Sequence, residues 1–205
     1  MLFRSKAGFY FNPPFQAKNR TRRSAEAPAD TDMARSNIPP PPLEIYFSPE
    51  AKIQAKIIKR INATESSIDL ALYSFTSSEL AQALVRAHRR GVKVRAVRDS
   101  VQTGAIDDKG SYLKQHGIPM RKLAGTGQGG EMHNQFAVFD RKEVLTGSYS
   151  WTHKGDKSNV EDALLTQESA IVQAYKKEFK RLWKAPRKPA ARKKAPKRTS
   201  ELASN

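Results

Sequence analysis

The chain has 205 residues, with 37 lysines and arginines against 20 acidic residues, and a formal net charge of +17 at pH 7. It contains no cysteine, which excludes disulfide bridges and thiolate metal sites. It contains no apolar run of about 18 residues, so the sequence predicts no membrane-spanning helix. A charge of this size indicates an anionic partner, either nucleic acid or an acidic lipid surface.

Charge and composition divide the chain into three parts. Residues 1–38 carry seven basic and three acidic residues without an apolar period, and the run IPPPP at 38–42 predicts a stiff linker. Residues 184–205 carry eight basic residues and one acidic residue in a Pro/Ala/Lys-rich tail. We therefore predict one folded domain over 39–183 between two disordered basic segments. Such segments bind polyanions in general, so they favour nucleic acid as a partner but are not specific for it.

The N-terminal segment bears on the location of the protein. It lacks the continuous hydrophobic region of a secretory signal, and its acid-poor, arginine-containing start resembles a transit peptide only weakly. Pro13 and Pro14 interrupt any amphipathic helix there. We favour the cytoplasm or periplasm of a bacterium and keep a mitochondrial location as the alternative.

Between the tails, strand and helix patterns alternate. The predicted elements, in chain order, are a strand at 43–48, a helix at 50–62, a strand at 68–75, a helix at 77–90, a strand at 92–99, a short helix at 108–116, strands at 117–123, 133–140, 143–150 and 159–166, and a helix at 168–183. Ser77 or Ser78 is the expected cap of the second helix, and Gly91 its end. This order predicts an α/β fold, a mixed β-sheet flanked by helices in an α-β-α sandwich.

The stretch EMHNQFAVFD at 131–140 places a histidine at a strand start, beside the glycine-rich loop GTGQGG. Strand alternation puts His133 and Gln135 on one face and Asn134 on the other. Loops at strand ends often hold functional residues. On this segment alone, however, a surface histidine with a structural hydrogen bond is the simpler interpretation. The glycines predict no phosphate-binding loop, because no helix pattern follows them.

Two further segments change this interpretation. Gly147 and Ser148 end the next predicted strand, and Asn159 and Glu161 open the one after it. FAVFD, VLTGSYSWT and KSNVEDALL together resemble the phospholipase D superfamily, whose signature is H-x-K-x4-D followed by G-S and a downstream glutamate. The resemblance covers roughly residues 43–183. It is strongest to the short members with a single motif, which include bacterial endonucleases and mitochondrial cardiolipin hydrolases.

The resemblance implies a phosphodiesterase that needs neither a metal nor a cofactor. His133 would attack the phosphorus and form a phosphohistidine, and the same histidine of a second subunit would protonate the leaving oxygen. It implies a homodimer with the active site on its two-fold axis, and nucleic acid or phospholipid as substrate; the basic segments favour nucleic acid. Glu161 matches the glutamate that fixes the histidine tautomer. Asp140, the motif aspartate, completes the catalytic set, and we expect it to act structurally.

Two positions depart from the family pattern. The motif lysine falls at Gln135, and an asparagine two residues after the serine falls at Ser150. The expected phosphate-binding residues are then Gln135, Ser148, Ser150 and Asn159. Gln135 brings no charge, and removing one preorganised donor costs about 100- to 1000-fold in rate. Two functions stay open: a phosphodiesterase whose activity Gln135 reduces or abolishes, and an inactive homologue that binds nucleic acid or an acidic membrane.

Other side chains near these segments carry weaker expectations. Lys154, Lys157 and Arg121 are candidates to replace the missing positive charge. His153 follows SWT close to the proposed site, and Trp151 is expected to pack under the loop rather than stack on a base.

Overall fold

The computed structural model describes residues 42–186. The predicted disordered segment 1–38 and nearly all of the predicted tail 184–205 lie outside these residues. Within 42–186 no helix combines the length and the apolar character needed to cross a membrane. The elements are β1 (Leu43–Phe47), α1 (Ile53–Ala63), β2 (Ser67–Leu72), α2 (Ser78–Arg89), β3 (Lys93–Asp99), a 3-10 turn (Gln102–Gly104), α3 (Gly110–Gln115), β4 (Met120–Leu123), β5 (Gln135–Phe139), β6 (Glu143–Thr146), α4 (His153–Lys157), β7 (Asp162–Thr166) and α5 (Ser169–Lys184).

The middle layer of the described domain is a seven-stranded sheet in the order β1-β7-β6-β5-β2-β3-β4. Strands β2, β3 and β4 run parallel, and the other neighbouring pairs are antiparallel. The antiparallel half is built from β1 and the closely spaced strands β5 to β7. The predicted α/β fold with a mixed sheet is therefore confirmed.

Two hydrophobic cores lie on opposite faces of the sheet. Helices α1, α2 and α3 pack on one face and α5 on the other. Strand β5 shows the division, because Ala137 and Phe139 face the first core while Phe136 and Val138 face the second. This is the alternation predicted from the sequence, and both faces of the strand are buried.

Helices α1 and α2 form for reasons visible in their sequences. In α1, Ile53, Ile57 and Ile61 recur at helical spacing and are fully buried, and each burial contributes about 1.5–3 kcal/mol. The Ser77 side chain caps α2 by accepting a hydrogen bond from the Leu80 N–H at 3.2 Å. Gly91 follows α2 with a φ of +97°, a conformation that glycine adopts without strain.

The structure corrects the ends of five predicted strands, of which β2 ends at Leu72 rather than at residue 75 and β4 begins at Met120 rather than at 117. β5 begins at Gln135 rather than at residue 133, β6 ends at Thr146 rather than at 150, and β7 begins at Asp162 rather than at 159. The sheet ladder stops at Gly147, where a Cβ would come within 2.4 Å of the Asp162 carbonyl oxygen. The short helix α4, which the sequence pattern did not predict, fills the connection from β6 to β7.

Candidate active site

The predicted site residues converge where several central strands of the sheet begin or end. We call this row of strand ends the site edge of the sheet, as distinct from its outer strands β1 and β4. Strand β5 begins at this edge, and the register pairs its first residue, Gln135, with Leu72 at the end of β2. Strand β6 ends there and β7 begins there, because both neighbouring pairs are antiparallel. The segments that hold His133, Ser148 and Glu161 therefore leave the sheet at the same edge.

A hydrogen-bond network joins three of the predicted residues. The Ser148 hydroxyl donates to Glu161 Oε2 at 2.7 Å, and Asn159 Nδ2 donates to Glu161 Oε1 at 2.8 Å. Both bonds are charge-assisted, which makes them stronger than bonds between neutral groups. Together they fix the carboxylate of Glu161 and direct the Ser148 proton toward it.

Backbone contacts hold this network in place. The Ser148 N–H donates to Asp162 Oδ1 at 3.2 Å, and the Asp162 N–H donates to Ser148 Oγ at 3.0 Å. The Glu161 N–H donates to the Ser48 hydroxyl oxygen at 3.0 Å, and that hydroxyl donates to the Asn159 carbonyl at 3.0 Å. Ser48 and Asp162 are supporting residues that the sequence did not identify: Ser48 lies outside the recognisable segments, and Asp162 lies within KSNVEDALL but had no predicted role.

Gln135 lies directly beside the network. Its Nε2 donates to the Ser148 carbonyl oxygen at 3.1 Å. Its Oε1 is buried and has no hydrogen-bond partner within the described residues. A buried acceptor without a donor costs about 1–3 kcal/mol, so the Gln135 position is not optimised for stability in the single chain.

His133 is exposed and lies just before β5, outside the sheet ladder. Its imidazole packs against the ring of Tyr73, with ring centroids 4.2 Å apart and an interplanar angle of 42°. The Tyr73 hydroxyl donates to Glu131 Oε1 at 2.9 Å, and Gln102 Nε2 donates to that hydroxyl at 3.0 Å. The bond to Glu131 raises the pKa of Tyr73 above its ordinary value. Tyr73 thus fixes one face of the imidazole.

The loop that carries His133 is anchored by a buried carboxylate. Asp99, at the end of β3, accepts a hydrogen bond from the Met132 N–H at 3.0 Å through Oδ2. Its Oδ1 accepts from the Val101 N–H at 2.8 Å. At Gly125 a Cβ would lie 2.6 Å from the Glu131 nitrogen, so only glycine allows the loop to fold back this closely. Sequence patterns gave no signal for the role of Tyr73 or Asp99.

The structure does not bring Asp140 to the site. Asp140 follows the far end of β5, roughly 20 Å from His133 at the strand rise. Its carboxylate accepts hydrogen bonds from the N–H groups of Glu65, Ser66 and Ser67, at 3.1, 2.7 and 3.0 Å. Desolvation raises the pKa of Asp140, but these bonds and one from the Ser66 hydroxyl outweigh it, and the pKa lies below its ordinary value. Asp140 ties two loops together, away from His133.

Ser150 lies in the turn that leads into α4. Its hydroxyl is 3.0 Å from Thr152 Oγ1, which caps α4 by accepting a hydrogen bond from the Gly155 N–H. The structure therefore gives Ser150 a contact with the helix cap and not with Ser148 or Glu161. Trp151 is buried and packs edge to face on Phe75, as predicted.

The candidates for a compensating charge differ in their surroundings. The Arg121 guanidinium donates to the Trp183 and Ala185 carbonyl oxygens at the end of α5, so Arg121 does not serve the site. Lys154 and Lys157 are exposed on α4, and Lys157 lies 3.8 Å from Asp156 Oδ2. Within the described residues, no lysine or arginine donates to the Ser148–Glu161–Asn159 network.

Comparisons with known proteins show to which family the chain belongs. The family model described as cardiolipin synthase, PLD-like domain, matches residues 57–183. The chain belongs to this phospholipase D-like family. A mitochondrial cardiolipin hydrolase of Xenopus laevis is 35% identical over 76% of this chain and 70% of its own length. A phospholipase D of Rickettsia prowazekii is 28% identical over 82% of this chain and 78% of its own length.

Two solved structures share the fold of the chain. The phospholipase D family member Nuc from Salmonella typhimurium has a TM-score of 0.64 and 25% identity, covering 70% of this chain and 94% of its own. NucT from Helicobacter pylori, with a TM-score of 0.65 and 23% identity, covers 70% of this chain and 96% of its own. Its likeness is one of fold. Membership in this family supports a phosphodiesterase function for the chain.

Proposed function

We propose that the chain is a phosphodiesterase that cleaves nucleic acid through a phosphohistidine at His133, without a metal or a cofactor. The observation that carries the proposal is the shared sheet edge, where the exposed imidazole lies beside Gln135 and the Ser148–Glu161–Asn159 network. The net charge of +17 supports nucleic acid as the substrate. A phospholipid is the alternative, because it presents the same phosphodiester.

In the proposed reaction, the neutral His133 imidazole attacks phosphorus, the new nitrogen–phosphorus bond forms and the ester oxygen leaves. A protonated histidine gives its proton to that oxygen. Water then attacks phosphorus, its proton returns to the second histidine, and the phosphohistidine bond breaks to release a monoester. The Ser148 and Asn159 side chains and the Gln135 amide supply polar contacts beside the phosphoryl group.

The second histidine requires a second copy of the chain, so we propose a homodimer with the active site on its two-fold axis. Support comes from three exposed apolar side chains on the edge strand β1, namely Leu43, Ile45 and Phe47, with exposed fractions of 58%, 54% and 61%. We call these three the β1 stripe. They alternate along the strand and therefore share one face. The stripe ends next to Ser48, which contacts Glu161 and Asn159.

The second candidate function is an inactive homologue that binds nucleic acid or an acidic membrane. A specific observation favours it over full activity. The Gln135 amide is engaged with the Ser148 carbonyl, and the nearby Glu161 and Asp162 are carboxylates that repel a phosphodiester. We therefore expect a rate about 100- to 1000-fold below that of the Gln135→Lys variant.

Hydrolysis of a chromogenic bis-aryl phosphodiester in EDTA tests these proposals. The proteins are the wild-type chain, His133→Ala and Gln135→Lys, with His116→Ala and Gln115→Lys as matched controls at the C-terminal end of α3, away from the site. We expect turnover by the wild type and its controls, faster turnover by Gln135→Lys, and none by His133→Ala. If the His133→Ala variant hydrolyses the phosphodiester as fast as the wild type, the proposed phosphohistidine mechanism is wrong. If none of the proteins hydrolyses the phosphodiester, the second candidate function, an inactive homologue that binds nucleic acid or an acidic membrane, is favoured.

A further inference from the structure

A cluster of positively charged side chains lies on the α5 face of the sheet in the described domain, opposite the face that carries Gln135. A groove of about 580 Å³ runs between α5 and the sheet. Six cationic side chains line it, and we call it the α5 groove: Arg95, Arg141, Lys176, Lys177, Lys180 and Lys184. Its one acidic lining residue is Asp69. A concave surface with this imbalance attracts anions, because its low-dielectric walls focus the potential.

The lysines of the groove share one face of α5. At 100° per residue, Lys176, Lys177, Lys180 and Lys184 fall within an arc of about 100°, and they extend over about 12 Å of helix. No ion pair joins any of the four within the described residues, whereas Arg181, on another face of the helix, pairs with Glu178 at 2.6 Å. Four like charges at this spacing repel one another, so an anion that neutralises them is stabilised.

The floor of the groove is preorganised. Arg95 donates two hydrogen bonds to Asp69, both at 2.8 Å, in a bidentate pair. Its guanidinium also lies over the rings of Phe179 and Trp183, at 4.9 and 5.1 Å from their centroids. These contacts hold the guanidinium still and leave its Nη1 without a hydrogen-bond partner in the described domain. A fixed guanidinium donor is well suited to a phosphate oxygen.

The groove is separate from the candidate active site. Asp69 pairs with Val138 in the sheet register and lies three residues from Leu72, the partner of Gln135, which is roughly 10 Å along the strand. Asp69 and Arg95 face the α5 side, whereas Gln135 shares the opposite face with Ala137. An extended ligand is therefore needed to reach from one site to the other.

We propose that the α5 groove is a second binding site, for the sugar-phosphate backbone of a nucleic acid strand, distinct from the edge that carries His133. Along one strand, charges recur every 3.4 Å of duplex axis, so the 12 Å of lysines spans about three phosphates. A bilayer fits this surface less well, because an interfacial helix exposes an apolar face. The apolar face of α5, with Val172, Phe179 and Leu182, is buried against the sheet.

Fluorescence anisotropy with a labelled DNA duplex and a labelled single strand tests the groove in the full-length chain. The groove variant is Lys176→Gln, Lys180→Gln and Lys184→Gln together. The control is Lys59→Gln, Arg86→Gln and Lys114→Gln, which removes the same charge from exposed positions on α1, α2 and α3. Both keep the basic segments outside 42–186, and circular dichroism checks the fold of each.

For the groove variant we expect at least about tenfold weaker duplex binding and a salt slope smaller by about 2–3, because three phosphate contacts are lost. The control should change affinity by less than about twofold. If both variants lose the same amount of DNA affinity, binding depends on net charge and the proposal is wrong. If neither loses affinity, binding depends on the basic segments outside 42–186 and the proposal is also wrong. Sedimentation with vesicles containing phosphatidylserine is the second arm; groove-dependent binding to vesicles but not to DNA would also overturn it. None of these readouts depends on turnover, so they stay decisive if His133 is inactive.

Discussion

The Glu161→Gln substitution tests how the carboxylate at the candidate active site works. The variant keeps the size of the side chain but removes its charge and one of its two acceptor oxygens. The Glu161 backbone is held by Ser48, with hydrogen bonds of 3.0 and 2.9 Å, so the side chain should stay in position. Any effect then reports on the bonds to Ser148 and Asn159.

Those two bonds set the magnitude. A charge-assisted bond contributes about 1.5–3 kcal/mol and a neutral one about 0.5–1.5 kcal/mol, so weakening both costs about 2–3 kcal/mol. Part of this loss is recovered when Asn159 turns its amide and Ser148 keeps donating to the remaining oxygen, which leaves a net loss of about 1–2 kcal/mol. If the same loss falls on the transition state, kcat/KM falls about 5- to 30-fold. No hydrogen bond joins Glu161 to His133 within the described chain, so we expect the midpoints of the pH–rate profile to stay unchanged.

The assay is the pH dependence of kcat/KM on the bis-aryl phosphodiester, in whichever of the wild-type and Gln135→Lys backgrounds turns over faster. Glu65→Gln, an exposed position at the opposite edge of the sheet, is the matched control and should behave like its parent. A fall of about one unit or more in the histidine midpoint would refute the reasoning. It would mean that the carboxylate contacts an imidazolium, because a nearby opposite charge shifts the pKa of a charged group by about 1–3 units.

Three further outcomes are expected. Asp140→Asn should lower the free energy of unfolding, measured in urea, by about 1–3 kcal/mol at neutral pH. The pKa of Asp140 in the folded protein lies below its ordinary 3.8, so the difference from wild type should disappear as the pH falls below that value. A difference that does not change with pH would contradict the assignment. Asp108→Ala should lower the free energy of unfolding by about 3–5 kcal/mol in the same assay, because the fully buried Arg98 loses its ion-pair partner, whose Oδ1 lies 2.6 Å from Arg98 Nη2. A loss under about 1 kcal/mol would show that Arg98 is solvated. Ile45→Glu should convert the proposed dimer into monomers in light scattering, and Ile171→Glu on α5 should not; an unchanged mass would remove the β1 stripe from the interface.

The fold was predictable where the sequence pattern and the tertiary contacts agree. Helix α2 carries its own cap at Ser77 and its own stop at Gly91, so its bounds could be read to within a residue. The buried strands could be recognised because their apolar runs are short and bounded by polar turns. The alternation of β5 correctly divided its side chains between two cores.

The strand ends at the candidate site could not be predicted in the same way. Polar and apolar residues continue to alternate past Thr146 and before Asp162, yet the ladder stops because of a backbone approach at Gly147. Whether a strand continues depends on its neighbour, and the neighbour's register is not encoded locally. For this reason the structure gives the 147–161 region to turns and to α4 rather than to strands.

Sequence motifs predicted which residues gather at the edge but not what supports them. His133, Ser148, Glu161, Asn159 and Gln135 belong to recognisable segments, and the antiparallel order of β5 to β7 brings these segments together. Most of their supports, namely Ser48, Tyr73 and Asp99, come from other parts of the chain, and Asp162 is a neighbour of Glu161 that the motif did not single out. Only the folded backbone relates these side chains to the motif.

The two proposed sites divide the charge of the chain in an uneven way. Among residues 42–186, the edge with His133 carries the carboxylates of Glu161 and Asp162, and no lysine or arginine donates a hydrogen bond to them, so this part of the chain has little electrostatic attraction for a phosphodiester. The α5 groove carries four lysines that make no ion pair within the described residues. Binding energy from a remote part of a long substrate can be used to hold the reacting bond at a weak site. Under this division, neutralising the groove should slow cleavage of long nucleic acid but leave hydrolysis of a small phosphodiester unchanged, since only the long substrate spans both sites.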